Sequence, residues 1–111
     1  HLDVSENNIE SLDLSALEKM ENVQCSRNSL MELTLNGSAL ISLIAGNNKL
    51  QKLTVQPQPA KLTHLDISYN SLNSLPEWIS ECHHLQTLFA SHNNLTTLPN
   101  RLFCGDLNAL D

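Results

Sequence analysis

The chain has 111 residues, 41% of them apolar, and a formal net charge of −6, which is room for one small domain or part of a larger one. Seven of its twelve acidic residues fall within the first thirty-two positions, against Lys19 and Arg27 alone, and without a basic stripe neither nucleic acid nor an anionic membrane surface is an expected partner. No run reaches the about 18 apolar residues of a membrane span, so no direct membrane insertion is expected, and the start carries no signal-peptide pattern.

In chain order, one pattern recurs. Leu2-Asp3-Val4 followed by Asn7 and Ile9 reads as a strand and turn whose beginning is missing. Met20-x-x-Val23-x-Cys25-x-x-Asn28-x-Leu30 follows, then Leu40-x-x-Leu43-x-Ala45-x-x-Asn48-x-Leu50. Leu62-x-x-Leu65-x-Ile67-x-x-Asn70-x-Leu72-x-x-Leu75-Pro76 is the most regular copy. Leu85-x-x-Leu88-x-Ala90-x-x-Asn93-x-Leu95 comes next, and Leu107-x-x-Leu110 begins one more. The asparagines stand at 7, 28, 48, 70 and 93, so the spacings are 21, 20, 22 and 23. This resembles the leucine-rich repeat template. The period-2 pairs predict short parallel strands with leucine-like residues facing inward.

The expected fold is therefore α/β: a leucine-rich repeat solenoid with a parallel concave sheet and short helical, extended or coil returns on the convex side. Leu12, Leu14, Leu17 and Met20 suggest a short helical return. Leu33–Leu35 alternates and predicts an extended one. Gln56-Pro57-Gln58-Pro59 cannot be regular helix and predicts polyproline-like coil on the outside. Leu75–Cys82 predicts a short helix with Pro76 at its start and Trp78 packed on the convex side. Leu98–Gly105 predicts a second such helix ending at Gly105. Residues 1–111 form one segment of about five repeats, and both ends fall inside repeats without a polar cap, which suggests a piece of a longer array.

Each turn leaves backbone groups pointing inward, where unpaired groups are costly. An amide offers one acceptor and two donors. Asn7, Asn28, Asn48, Asn70 and Asn93 are accordingly expected to form a structural ladder, one rung per repeat.

Strand alternation sorts the outward residues into columns. One is His1, Asn22, Ser42, His64, Thr87 and Ala109. The next is Asp3, Gln24, Ile44, Asp66, Phe89 and Asp111. A third is Ser5, Ser26, Gly46, Ser68 and Ser91, and a fourth, at the strand exit, is Glu6, Arg27, Asn47, Tyr69 and His92. The candidate binding face is Gln24, Ile44, His64, Asp66, Tyr69, Phe89 and His92, because aromatic anchors among polar neighbours are what binding surfaces use. The alternative is a solvated sheet face with two isolated apolar residues.

No catalytic residue is assigned. The chain lacks G-x-S-x-G, H-E-x-x-H and P-loop motifs. His64, Asp66 and Ser68 invite a triad reading, but one flat strand offers neither pocket nor oxyanion hole. No metal site is assigned either: His64, Asp66 and His92 do not converge as zinc ligands must. Cys25, Cys82 and Cys104 form no C-x-x-C pair, and a sparse, odd count suggests reduced thiols in an intracellular protein. The sequons Asn36-Gly37-Ser38 and Asn94-Leu95-Thr96 point the other way in principle.

The irregular stretches are more specific than the leucines. The ELTLNGSAL return, the IAGNNKLQKLTV turn, the Val55–Pro59 coil and LPEWISEC are similar to the repeat region of the PH-domain leucine-rich repeat protein phosphatases. This resemblance covers Glu21 to Leu98 most clearly. It implies a parent with a PH domain, a long repeat array and a manganese- or magnesium-dependent serine/threonine phosphatase domain that acts on Akt-type kinases. It implies no cofactor and no catalytic residue within this chain. The expected partners are proteins, namely kinases or signalling regulators. The expected location is cytoplasmic, with membrane-associated or nuclear pools of the parent. Two alternatives stand beside it: a generic intracellular repeat scaffold in Ras-type signalling, and a secreted repeat binder.

Overall fold

In the computed structural model, residues 1–96 and the strand at 109–110 are described. Six short strands line the concave side: β1 (Leu2–Asp3), β3 (Asn22–Gln24), β5 (Ser42–Ile44), β7 (His64–Asp66), β8 (Thr87–Phe89) and β9 (Ala109–Leu110). All neighbours pair in parallel, in the order β1-β3-β5-β7-β8-β9. The chain winds between them as a solenoid, as the repeat spacing predicts.

Each three-residue concave strand puts its middle residue inward. Val23, Leu43, Leu65 and Leu88 are buried, and the residue two places on, Cys25, Ala45, Ile67 or Ala90, is buried beside it. Leu40, Leu62 and Leu85 enter from before the strand, and Leu30, Leu50 and Leu72 from after the asparagine. One leucine-like layer per turn thus meets the next along a continuous core. Fully burying such a side chain is worth roughly 1.5–3 kcal/mol.

The convex side departs from expectation in its first return. Residues 11–14 form a strand, β2 (Ser11–Leu14), rather than a helix. With β4 (Glu32–Leu35) and β6 (Lys52–Val55) it makes a second parallel sheet, in which Leu12 faces Leu33 and Leu33 faces Leu53. Leu12 and Leu14 are two apart and share the inner face. Leu17, counted toward a helical stripe, is 41% exposed in the following turn. Register with the extended Leu33–Leu35 return decided the conformation, overriding the local apolar spacing.

The extended return at Leu33–Leu35 is present within β4. The Gln56–Pro59 stretch is coil with a cis Gln56–Pro57 bond. It is not wholly on the outside: Pro59 is buried, and its carbonyl accepts the Cys82 thiol at 3.4 Å. The segment after Pro76 is a 3-10 helix, Glu77–Glu81, capped by Pro76. Trp78 and Ile79 are buried beneath it. The helix expected at Leu98–Gly105, with Cys104, lies outside the described residues.

Candidate functional site

The strand register sets the concave face. His64 lies between Ser42 and Thr87, and Asp66 between Ile44 and Phe89. Gln24 pairs with Asp3 on one side and Ile44 on the other. Gln24 and His64 are exposed, Ile44 and Asp66 are half-buried, and Phe89 is 37% exposed. Ile44, Asp66 and Phe89 therefore stand in one row across three strands, about 4.8 Å from one to the next.

The exit column has a feature that alternation alone did not reveal. Glu6, Arg27, Asn47, Tyr69 and His92 all occupy left-handed backbone, with φ between 54° and 61°. For a non-glycine residue this costs roughly 1–2 kcal/mol. In the first four the geometry turns the amide toward the neighbouring coil. Glu6 N–H donates to Ser26 O, Arg27 to Gly46 O, Asn47 to Ser68 O and Tyr69 to Ser91 O, at 2.9–3.1 Å. The sequence signal for it was the fixed register: each residue stands immediately before a ladder asparagine.

The same geometry aims five consecutive exit side chains outward. Arg27 Nη1 meets Glu6 Oε1 at 3.1 Å, both side chains 69% exposed; such pairs contribute about 0–1 kcal/mol. Tyr69 and His92 stack, ring centroids 4.2 Å apart and planes 11° apart. Tyr69 remains 51% exposed.

The asparagines make the bonds that their amides allow. Asn28 Oδ1 accepts from Asn7 N–H at 3.0 Å, and Asn48 Oδ1 accepts from Asn28 N–H at 3.0 Å. Asn70 Oδ1 accepts from Leu50 N–H, and Asn93 Oδ1 from Leu72 N–H. Each Nδ2 donates to its own turn; for Asn28, Asn48, Asn70 and Asn93 it also reaches a carbonyl of the preceding coil. Among the described residues no buried side-chain nitrogen or oxygen lacks a partner.

The triad-like residues do not converge. Asp66 Oδ1 accepts from Ser68 Oγ at 2.6 Å and from Ser68 N–H at 3.0 Å. Asp3 holds Ser5 N–H in the equivalent turn, and that bond lowers the Asp3 pKa below the ordinary carboxylate value. His64 Nδ1 turns to Thr63 Oγ1 at 2.8 Å instead. Among the described residues no group of three or more histidines, cysteines or acids could hold a metal ion. Burial pushes the Cys25 thiol up to about 12 and the Cys82 thiol to about 11, so neither is a nucleophile at neutral pH. The first sequon residue, Asn36, donates its Nδ2 to Ser15 O at 3.1 Å.

A parallel strand per turn, closed by an asparagine that bonds two coils, defines a leucine-rich repeat. The leucine rich repeat family model matches residues 43–95 and again 60–110, more than half of the chain. The chain belongs to that family. Its sequence is similar to the repeat region of the PH domain leucine-rich repeat protein phosphatases. Over 84 residues it is 45% identical to "Protein phosphatase PHLPP-like protein" of Drosophila melanogaster, covering 73% of this chain and 9% of that protein. Over 85 residues it is 39% identical to human "PH domain leucine-rich repeat-containing protein phosphatase 1", covering 77% and 5%. An adenylate cyclase of Schizosaccharomyces pombe is 35% identical over 111 residues, covering 91% and 6%. The chain thus spans less than a tenth of the length of these relatives.

Proposed function

We propose that this segment is a non-catalytic protein-interaction scaffold within a protein phosphatase of the PH domain leucine-rich repeat type. The observation that carries the reading is the division of labour on the concave side. Asp66, Ser68, His64 and the asparagines are engaged with their own turns, while Phe89, Tyr69 and His92 are presented outward. A surface with exposed aromatic groups and a tied-down polar set suits contact, not chemistry.

In this reading the parent acts on Akt-type kinases through a manganese- or magnesium-dependent domain outside the segment. The segment positions kinases or signalling regulators for it in the cytoplasm, with membrane-associated or nuclear pools. The similarity to an adenylate cyclase favours a second reading, in which the same repeats serve another signalling enzyme.

Capture of partner proteins by the intact protein tests the scaffold. Phe89→Ala with Ile44→Ser should weaken capture without lowering the melting temperature appreciably; unchanged recovery counts against the concave face. A phosphatase assay on the segment with added manganese should give no turnover. Turnover that disappears with Asp66→Ala would overturn the non-catalytic reading.

A further inference from the structure

The concave face carries an excess of negative charge, and one of its carboxylates, Asp66, stands beside the aromatic groups. From Asp3 to His92, its strands and exits hold the carboxylates Asp3, Glu6 and Asp66. The full cation among them is Arg27, which already pairs with Glu6. Lys19, Lys49, Lys52 and Lys61 all stand on other segments. Among the described residues both hydrogen bonds to the Asp66 carboxylate fall on Oδ1, which leaves Oδ2 for an outside donor.

The aromatic geometry sets what that donor could be. His92 covers one face of the Tyr69 ring at 4.2 Å. Asn47 is the exit residue on the other side, and with one face covered Tyr69 is still 51% exposed, the most of the exposed large hydrophobic side chains among the described residues. Phe89 stands directly across from Asp66 on the next strand. A planar guanidinium can lie flat on such a ring while one of its N–H groups donates to a carboxylate oxygen beside it, a geometry that a tetrahedral ammonium does not offer.

We propose that the surface formed by Asp66, Tyr69, Phe89 and His92 receives an arginine from an extended basic segment of a partner protein; this rests on the scaffold reading above. The segment lies across the strands, its guanidinium between the Tyr69 ring and the Asp66 carboxylate. Its neighbouring apolar atoms meet Phe89 and Ile44. Charge complementarity selects a basic partner, and the ring face selects arginine over lysine.

Fluorescence anisotropy with the intact protein tests this, using a labelled hexapeptide of alternating serine and arginine and its serine–lysine counterpart at low salt. The arginine peptide is expected to bind more tightly. Asp66→Asn, which keeps the Oδ1 acceptor, and Tyr69→Ala should each weaken it about two- to fivefold. Tyr69→Phe should retain it, and Glu18→Gln, an exposed carboxylate on a return, should leave it unchanged. Equal affinity for both peptides overturns the proposal. So does wild-type affinity in Asp66→Asn and Tyr69→Ala, or an equal loss in Glu18→Gln, which marks diffuse attraction. If either result accompanies loss of partner capture in Phe89→Ala with Ile44→Ser, the basic segment is wrong and the scaffold reading stands. If capture survives that double substitution, the scaffold reading itself falls.

Discussion

Tyr69 and His92 stack face to face although twenty-three positions separate them in sequence, and both stand on left-handed backbone, at φ 54° and 57°. The repeat explains the coincidence. Two residues with the same backbone geometry on adjacent parallel coils project their side chains in the same direction. The strand spacing of about 4.8 Å then sets the rings near stacking distance. A contact of this kind is a product of register, not of local sequence.

The stack should be measurable as a coupling. A double-mutant cycle of Tyr69→Ala and His92→Ala is expected to give about 0.5–1 kcal/mol of interaction energy in urea melts, the lower part of the range for aromatic pairs because Tyr69 is exposed. Additive single effects would show that the rings do not support one another in solution.

The ladder predicts a graded response along the solenoid. Asn70 is buried, accepts from Leu50 N–H and donates to Ala45, Ile67 and Ser68 carbonyls. Asn70→Leu strands these groups at about 1–3 kcal/mol each. Asn7 is exposed and donates only within its own turn, so water can replace its bonds. Asn7→Ala should lower the melting temperature far less than Asn70→Leu; equal losses would contradict the ladder.

Gly37 and Gly46 are both buried but should differ in tolerance. A Cβ on Gly37 would collide with the Pro57 carbonyl oxygen, 2.9 Å from Val55 Cγ1 and 3.0 Å from Pro59 N. Its neighbours are largely backbone of the next return and cannot yield cheaply. A Cβ on Gly46 meets Asp66 Oδ1 at 3.2 Å and Ser68 O at 3.3 Å. Gly37→Ala is expected to cost at least about 1–3 kcal/mol, as overpacking does, and Gly46→Ala clearly less. Chemical denaturation of the two variants decides the order.

What the sequence made legible follows from which interactions repeat. The concave strands, their register and the columns were readable because Leu65, Ile67 and Asn70 recur at matching positions in every turn. The Leu12–Leu14 return was not, because four residues of alternating leucine fit a helix or a strand, and only pairing with Leu33 and Leu35 chose the strand. Pro59 was placed outside from proline's effect on its own backbone, whereas it is buried and bonded through its carbonyl to Cys82 one turn away. The left-handed exit column was hidden for a related reason. Glu6, Arg27 and Tyr69 have no local preference for that backbone, and each is held there by a bond to the following coil.

The two described thiols give the solenoid a stability that declines in alkali. In the folded protein Cys25 titrates at about 12 and Cys82 at about 11, both raised mainly by burial from an ordinary value of 9.0. The folded state therefore binds the thiol proton where the unfolded state has released it. Below pH 9 this linkage leaves stability unchanged. As pH rises through 9 toward 11 and 12, the unfolded chain gains thiolates that the core refuses, and stability falls. In a Cys104→Ser background, urea midpoints should drop across that window, and Cys25→Ala should flatten the decline even though it lowers stability at pH 7. At pH 8 a thiol-specific chromogenic reagent should leave both cysteines unmodified until denaturant is added, since the nucleophile is the thiolate and neither buried thiol forms it. Fast modification of the folded protein, or a pH profile unaltered by Cys25→Ala, would contradict the burial of these groups.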